Sequence, residues 1–174
     1  MEETGKEARS AGKTALFGGL VTAVVVLDLT TKILVQRTLS LYEQRDVLGS
    51  FLRLTYIYNP GAAFGINLGP YSRWIFLGLS VLVLAALFGM FAFTPAKDRL
   101  RIGAIGLVCG GALGNLVDRI KSESGVVDFL DVGVGTVRWP VFNVADMALT
   151  VGAIILALSL WREEKRLVRR PERS

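Results

Sequence analysis

Of the 174 residues in this chain, 52% are hydrophobic and only 20% are charged, which is more apolar surface than a small soluble domain can hide from water. The net charge of +5 does not indicate a nucleic-acid partner, because the Lys and Arg residues are concentrated at the ends of apolar runs, as membrane topology requires. With no histidine and one cysteine, the composition excludes Ser-His-Asp and Cys-His sites, the usual zinc sites and an intramolecular disulfide.

Four apolar stretches approach the length of about 20 residues that is needed to cross a hydrocarbon core of about 30 Å. We expect a mainly α, integral membrane fold, with four transmembrane helices bundled in one membrane-embedded domain over residues 1–174. The first stretch could instead be a cleaved signal peptide, but acidic residues precede it and no Ala-x-Ala-like cleavage site follows it. The predicted spans cover residues 15–35, 74–93, 102–119 and 141–161.

The distribution of Lys and Arg predicts the orientation of this bundle. An even number of spans places both termini on one side, and the side with more basic residues is cytoplasmic. Basic residues concentrate at the termini and in the turn between the second and third spans, so we predict cytoplasmic termini. The basic tail, residues 162–174, could also hold anionic lipids, although a topology signal alone accounts for its charge. The basic residues on this side include Arg9, Lys13, Lys97, Arg99 and Arg101.

The two loops on the opposite side are longer and have strand-like patterns. Residues 52–58 are rich in β-favouring side chains, and residues 47–48 could pair with them across a hairpin turn at Gly49 and Ser50. Residues 126–137 form a second extended segment, which glycines interrupt. We expect short β-strands on this side of the membrane.

The third span has glycine at every fourth position, at Gly106, Gly110 and Gly114. A ridge of small residues of this kind lets a neighbouring helix approach closely. We therefore expect close helix packing along this ridge.

Ionisable and amide side chains cluster at the end of the predicted bundle that is opposite the termini. A charged group within a span is costly and is therefore a functional candidate. Each has a simpler explanation when it is taken alone; Asp118 and Arg119, for example, could merely pair or hold a loop. The clustered residues are Asp28, Lys32, Asn59, Asn115, Asp118, Arg119, Asp128, Asn143 and Asp146.

Other members of this cluster have structural explanations of the same kind. Asp28 and Lys32 have the i, i+4 spacing of an intrahelical ion pair. Asn143 and Asp146 have the spacing of an N-cap and its N3 partner. Residues 59–61, Asn-Pro-Gly, could form only a tight turn. What these explanations leave unexplained is why all the polar groups lie at one end of the bundle.

Asp128 and Asp146 would be carried to the same membrane surface by a loop and by the helix that follows it. Two neighbouring carboxylates share a proton, because both cannot ionise at low cost. One can then deprotonate a water molecule while the other donates to a carbonyl oxygen, which would hydrolyse a peptide bond without histidine, metal or cofactor. The positive end of the helix dipole favours ionised Asp146 as the base, with Asp128 as the acid.

The same residues fall in five segments that resemble, in order, the motif blocks of the bacterial lipoprotein signal peptidases (signal peptidase II). The resemblance implies that Asp128 and Asp146 are the catalytic aspartates of an endopeptidase, and that Asp28 and Lys32 support the site. The residues implied to line the site and orient the substrate are Asn59, Gly61, Asn115, Asp118, Arg119 and Asn143. The five segments are residues 28–32, 59–64, 111–119, 126–129 and 142–146.

The resemblance also implies a substrate and a location. The substrate would be a prolipoprotein whose cysteine carries diacylglycerol, cut just before that cysteine to release the signal peptide. The protein would be a multi-pass monomer of the bacterial inner membrane, in contact with membrane lipids, with its active site near the extracytoplasmic face. The implied fold adds a small extracytoplasmic β-cradle and a lid helix over the site. Residues 120–125 are about one residue longer than the family pattern.

Two other classes of protein are compatible with parts of the sequence. A small proton- or ion-coupled transporter would also place Asp and Lys within its spans. Against it, the polar groups stop at one interface, and the second span has no charge. A non-catalytic membrane scaffold could use the glycine ridge as its contact surface.

Overall fold

The protein is described by a computed structural model over residues 2–61 and 68–168. Each of its four long helices contains a segment that is long and apolar enough to cross a membrane. They cover the four predicted stretches, which confirms the mainly helical membrane fold. The helices are α1 Glu2–Thr38, α2 Ser72–Phe93, α3 Arg99–Lys121 and α4 Val144–Val168.

The ends of α1 and α4 differ from the predicted spans. Helix α1 begins at Glu2 rather than near residue 15, because its polar first turns contain Ala, Glu, Lys and Arg, which favour helix without being apolar. Helix α4 begins at Val144 rather than at residue 141, because Pro140 and the capping residue Asn143 precede it. It continues to Val168, into the predicted basic tail, of which residues 169–174 lie outside the described residues.

Helix α3 lies at the centre of the bundle, since 61% of its apolar membrane-spanning segment is buried, against 11–22% of the corresponding segments in the other three helices. Its predicted glycine ridge packs against α1: a Cβ atom at Gly110 would lie 2.7 Å from Cβ of Val24, and one at Gly114 would lie 2.6 Å from Oδ2 of Asp28. On another face, Gly111 lies directly against the backbone oxygen of Ala145 in α4. The expectation of close packing along this ridge is confirmed.

An antiparallel sheet of four strands, in the order β1-β2-β3-β4, covers one end of the bundle. The predicted hairpin is present, because the first two strands pair around Gly49, which has a positive φ of 51°. The predicted extended segment 126–137 forms the third strand and the start of the fourth. The strands are β1 Gln44–Leu48, β2 Leu52–Asn59, β3 Val126–Val134 and β4 Val137–Arg138.

A small apolar core joins this sheet to the last turns of α1. Val35 of α1 and Leu39, which directly follows the helix, pack with Tyr56, Val127 and Phe129 of the sheet, and all five are buried. This core holds the first residues of β3 against the bundle. We term the end of the bundle that the sheet covers, where α1 ends and α4 begins, the sheet end.

The lid helix implied by the resemblance has no counterpart among the described residues between β2 and α2. The described part of that connection has a short 3-10 turn, Gly69–Tyr71. Residues 62–64, the last part of the 59–64 motif, lie outside the described residues.

Candidate active site

Asp128 lies near the start of β3, and only 1% of it is exposed to solvent. Its carboxylate accepts hydrogen bonds from two side-chain amides: Nδ2 of Asn143 at 2.7 Å and Nδ2 of Asn59 at 3.0 Å. Asn59 ends the neighbouring strand β2, where it pairs with Val126, two residues before Asp128 on β3. Side chains two residues apart on a strand share a face, so sheet pairing brings Asn59 to Asp128.

Asp146 lies in the first turn of α4 and forms a reciprocal cap with Asn143. The backbone N–H of Asp146 donates to Oδ1 of Asn143 at 2.9 Å, and the backbone N–H of Asn143 donates to Oδ2 of Asp146 at 3.3 Å. The predicted cap between these two residues is therefore present. A cap alone is an incomplete explanation, because the amide nitrogen of the same Asn143 donates to Asp128.

Two asparagines connect the two carboxylates. Asn143 is fully buried, and besides Asp128 its Nδ2 donates to the carbonyl of Val127 at 3.2 Å and to Oδ1 of Asn115 at 3.1 Å. Asn115, on α3, donates in turn from Nδ2 to Oδ1 of Asp146 at 2.8 Å. A chain of hydrogen bonds through Asn143 and Asn115 therefore links the carboxylate of Asp128 to that of Asp146.

The environment of Asp128 favours its protonated form. Burial, first, and the nearby carboxylate of Asp146, second, raise the pKa of Asp128 from its usual 3.8 to about 7, against the opposing effect of its hydrogen bonds from Asn59 and Asn143. A carboxyl group with this pKa can hold a proton at neutral pH and release it within the working range of an enzyme.

Lys32 connects the helices beneath these carboxylates. Its Nζ lies 2.7 Å from Oδ2 of Asp28, 2.8 Å from Oδ2 of Asp118 and 3.1 Å from Oδ1 of Asn115. The intrahelical pair with Asp28 is thus one of three contacts, two of which reach α3. Asp28 also accepts the backbone N–H of Ala145 at 2.9 Å, which ties α1 to the first turn of α4.

Asp118 and Arg119 are neighbours in sequence but bind different partners. Besides Lys32, Asp118 accepts the backbone N–H of Val127 at 3.2 Å. Arg119 is buried and donates to two backbone carbonyls, those of Gly61 at 3.1 Å and Asn115 at 3.3 Å. Since the N–H of Gly61 donates to Oδ1 of Asn59 at 3.0 Å, Arg119 fixes the loop that carries an amide contacting Asp128.

An open cavity of about 490 Å³ lies beside Asp146 and Asn59. Its other lining residues are mostly apolar and come from the segment before α4 and from one face of α4. They were not predicted from sequence, because an apolar run that crosses a membrane looks the same whether its faces contact lipid or line a groove. The run Trp139-Pro140 just before the helix was the available signal. These residues are Trp139, Pro140, Val141, Phe142, Met147, Leu149, Thr150 and Val151.

Arg73 also has a role that sequence reasoning missed. From the first turn of α2 it donates to the backbone carbonyl of Arg119 at 2.7 Å and to that of Ile120 at 3.0 Å. It thereby caps the last turn of α3 next to the candidate site. A basic residue at the start of an apolar span gave no indication of this partner.

Four membrane helices, with a buried carboxylate linked through two amides to a partly exposed one beside an apolar cavity, define a membrane-embedded enzyme of the hydrolase class. Residues 20–162 match the family model of signal peptidase (SPase) II, and the chain belongs to that family. It is therefore a membrane peptidase that removes signal peptides from prolipoproteins, and a multi-pass protein of the bacterial inner membrane.

Similar proteins and solved structures agree with this assignment. The chain is 42% identical over 149 residues to the lipoprotein signal peptidase of Geobacter metallireducens, covering 84% of this chain and 91% of that protein. It is 44% identical over 149 residues to the lipoprotein signal peptidase of Cupriavidus necator, covering 84% and 81%. A solved structure of a bacterial membrane enzyme is similar with a TM-score of 0.79 and 31% identity, covering 91% of this chain and 93% of that one. A second such structure has a TM-score of 0.73 and 33% identity, covering 83% and 91%.

The transporter alternative is overturned by this family membership. The structure gives a physical reason as well. Among the described residues, the buried Asp, Lys and Arg side chains all lie towards the sheet end, so they do not line a path across the membrane.

Proposed function

We propose that Asp128 and Asp146 are the catalytic pair of this peptidase, which makes it an aspartic endopeptidase. The observation that carries the proposal is that one residue, Asn143, donates hydrogen bonds to both carboxylates: through its side chain to Asp128 and through its backbone to Asp146. The pKa of about 7 at Asp128 supports its role as the protonated acid of the pair.

The reaction would begin with a water molecule between the two carboxyl groups. Ionised Asp146 takes a proton from the water as its oxygen attacks the scissile carbonyl carbon, while protonated Asp128 donates its proton to the carbonyl oxygen. The product is a neutral tetrahedral diol. Asp146 then passes its proton to the leaving nitrogen as the C–N bond breaks, and Asp128 recovers a proton from a hydroxyl of the diol. Both carboxyl groups return to their starting states.

The surrounding side chains would orient this pair and the substrate. Asn59, Asn115 and Asn143 fix the carboxylate oxygens by donating to them. Arg119 and Gly61 hold the loop beside Asp128. The ion pairs of Lys32 join α1 to α3, and Asp28 joins α1 to α4 by accepting the backbone N–H of Ala145. We assign these residues positioning roles, because each acts through a hydrogen bond or ion pair to another part of the site.

The substrate we propose is a prolipoprotein with a diacylglyceryl-modified cysteine, cut just before that cysteine. Support comes from the apolar cavity beside Asp146, which is large enough to receive part of an acyl chain and opens on the face of α4. A lipidated cysteine stays at the bilayer surface, so its scissile bond would reach the sheet end by lateral diffusion. The sheet end would then be extracytoplasmic and both termini cytoplasmic. We infer a monomer, because a single bundle supplies both carboxylates, the amides that contact them and the cavity beside them.

Conversion of each aspartate to asparagine tests the catalytic assignment. Asp128→Asn and Asp146→Asn should each reduce cleavage of a lipidated precursor peptide at least about 100-fold, since positioned acid–base groups contribute that much or more. Asp46→Asn makes the same chemical change at a largely exposed carboxylate of β1 and should leave the rate within about twofold.

Thermal unfolding of each variant in the same detergent separates lost chemistry from lost folding. A cleavage rate within tenfold of the wild type in either folded variant would refute the catalytic pair. Equal cleavage of the same peptide without its lipid would refute the lipidated-cysteine substrate and leave the pair intact.

A further inference from the structure

A basic pocket with a volume of about 330 Å³ lies at the end of the bundle opposite the sheet, where α1 passes the turn between α2 and α3. Four cations line it, and the lining also includes apolar residues from α1 and α3. No carboxylate contributes to the lining. The cations are Arg9, Lys13, Lys97 and Arg99, and the apolar residues include Leu16 and Ile102.

The positive charge of this pocket is not neutralised by the described part of the chain. Asp98 lies between two of the cations in sequence, but its carboxylate accepts the backbone N–H of Arg101 at 3.1 Å and lies 3.3 Å from the Arg101 side chain. Glu163 is likewise engaged by Arg101, at 2.6 Å. Among the residues with described side chains, none forms an ion pair with the four cations of the pocket.

One of these cations, Lys13, is held in place by contacts with neutral groups. Nζ of Lys13 donates to the backbone carbonyl of Ala92 at 3.1 Å and lies 4.4 Å from the ring centre of Phe91. These contacts fix the ammonium group at the end of α2 through a neutral acceptor and an aromatic face. A ligand anion would therefore find at least this charge already positioned.

We propose that the basic pocket binds the headgroup of an anionic phospholipid. The phosphate would interact with the cations, and the glycerol and first methylene groups would contact Leu16, which is partly exposed. The neighbouring helix surface suits the acyl chains, because Phe93 and Leu100 are 91% and 54% exposed. A basic pocket between helix ends, next to an apolar surface, is the combination that recognises anionic lipids. The site lies far along the bundle from the carboxylate pair and does not depend on the proposed catalytic roles.

Lipid binding to the full-length protein tests this proposal, with phosphatidylglycerol and phosphatidylcholine as probes in detergent. Native mass spectrometry would count the bound lipids, and thermal unfolding would report the stabilisation. Loss of each basic residue near an anionic lipid should weaken binding about fivefold, so Lys97→Gln/Arg99→Gln should weaken phosphatidylglycerol binding about 25-fold and Arg9→Gln about fivefold. Arg162→Gln/Lys165→Gln removes two charges elsewhere on the surface of α4 and should change it less than twofold.

Three outcomes would overturn the proposal. If Arg162→Gln/Lys165→Gln weakened phosphatidylglycerol binding as much as Lys97→Gln/Arg99→Gln, the binding would be non-specific charge attraction. Equal binding of phosphatidylcholine would remove the headgroup preference, and equal stabilisation by inorganic phosphate would mean that the pocket binds a free anion and not a lipid. Precursor cleavage in lipid-free detergent should be unchanged by Lys97→Gln/Arg99→Gln, which shows that the variant is folded.

Discussion

Asp128 should set the alkaline limit of activity, because its proton is the one proposed to reach the carbonyl oxygen. With a pKa of about 7, the acid form is lost as the pH rises through that value, and kcat/KM should then fall about tenfold per pH unit. The hydrogen bond from Asn59 lowers this pKa by stabilising the ionised form. Asn59→Ala should therefore move the alkaline limit to higher pH, as measured by pH profiles of precursor cleavage.

Thr38→Ala is the control for this shift, since Thr38 donates only to the backbone of its own helix. Its alkaline limit should coincide with that of the wild type. A limit that moved to lower pH in Asn59→Ala would contradict the stated role of the hydrogen bond.

Lys32 should be more important for stability than an ordinary surface cation. It is 2% exposed and neutralises two carboxylates, those of Asp28 and Asp118. Lys32→Gln leaves both carboxylates buried without a cation, which should lower the free energy of unfolding by about 3–5 kcal/mol. Arg45→Gln breaks the exposed ion pair with Glu43 and should lower the free energy of unfolding much less, because water and salt screen exposed pairs. Chemical denaturation of both variants in one detergent gives the comparison, and equal losses would contradict it.

At the scale of elements, the glycine ridge of α3 makes a prediction about packing. A methyl group at Gly110 would lie 2.7 Å from Cβ of Val24 and 3.2 Å from the carbonyl of Val21, so α1 must move away. Gly110→Ala should therefore destabilise the protein by about 1–3 kcal/mol. Gly89→Ala on α2 meets nothing within 4 Å and should stabilise the helix by up to about 1 kcal/mol, measured by thermal unfolding. Destabilisation by both changes would contradict this account.

The sequence predicted the elements better than their contacts. Apolar length predicted four helices, and residue preferences predicted the β1–β2 hairpin, because both signals are local. The irregular pairing of β2 with β3 between Leu54 and Ile57 has no local signal, and it is part of what places Asp128 opposite β2. The contacts of Asn143 with Asp128 and Asn115 could not be predicted from sequence either, since its spacing to Asp146 predicts only a helix cap. Such contacts depend on which helices and strands meet in space.

At the scale of the whole molecule, the proposed mechanism requires that the sheet end faces away from the cytoplasm. The single native cysteine, Cys109, is fully buried and should not react with a membrane-impermeant maleimide, so single introduced cysteines can report the orientation. In spheroplasts, Val134→Cys, at a 73% exposed position of β3, should be labelled. Ser10→Cys, at an exposed position of α1, should be labelled only after the cells are broken open. The reverse pattern would place the carboxylate pair on the cytoplasmic side, where a lipidated precursor translocated across the membrane could not reach it.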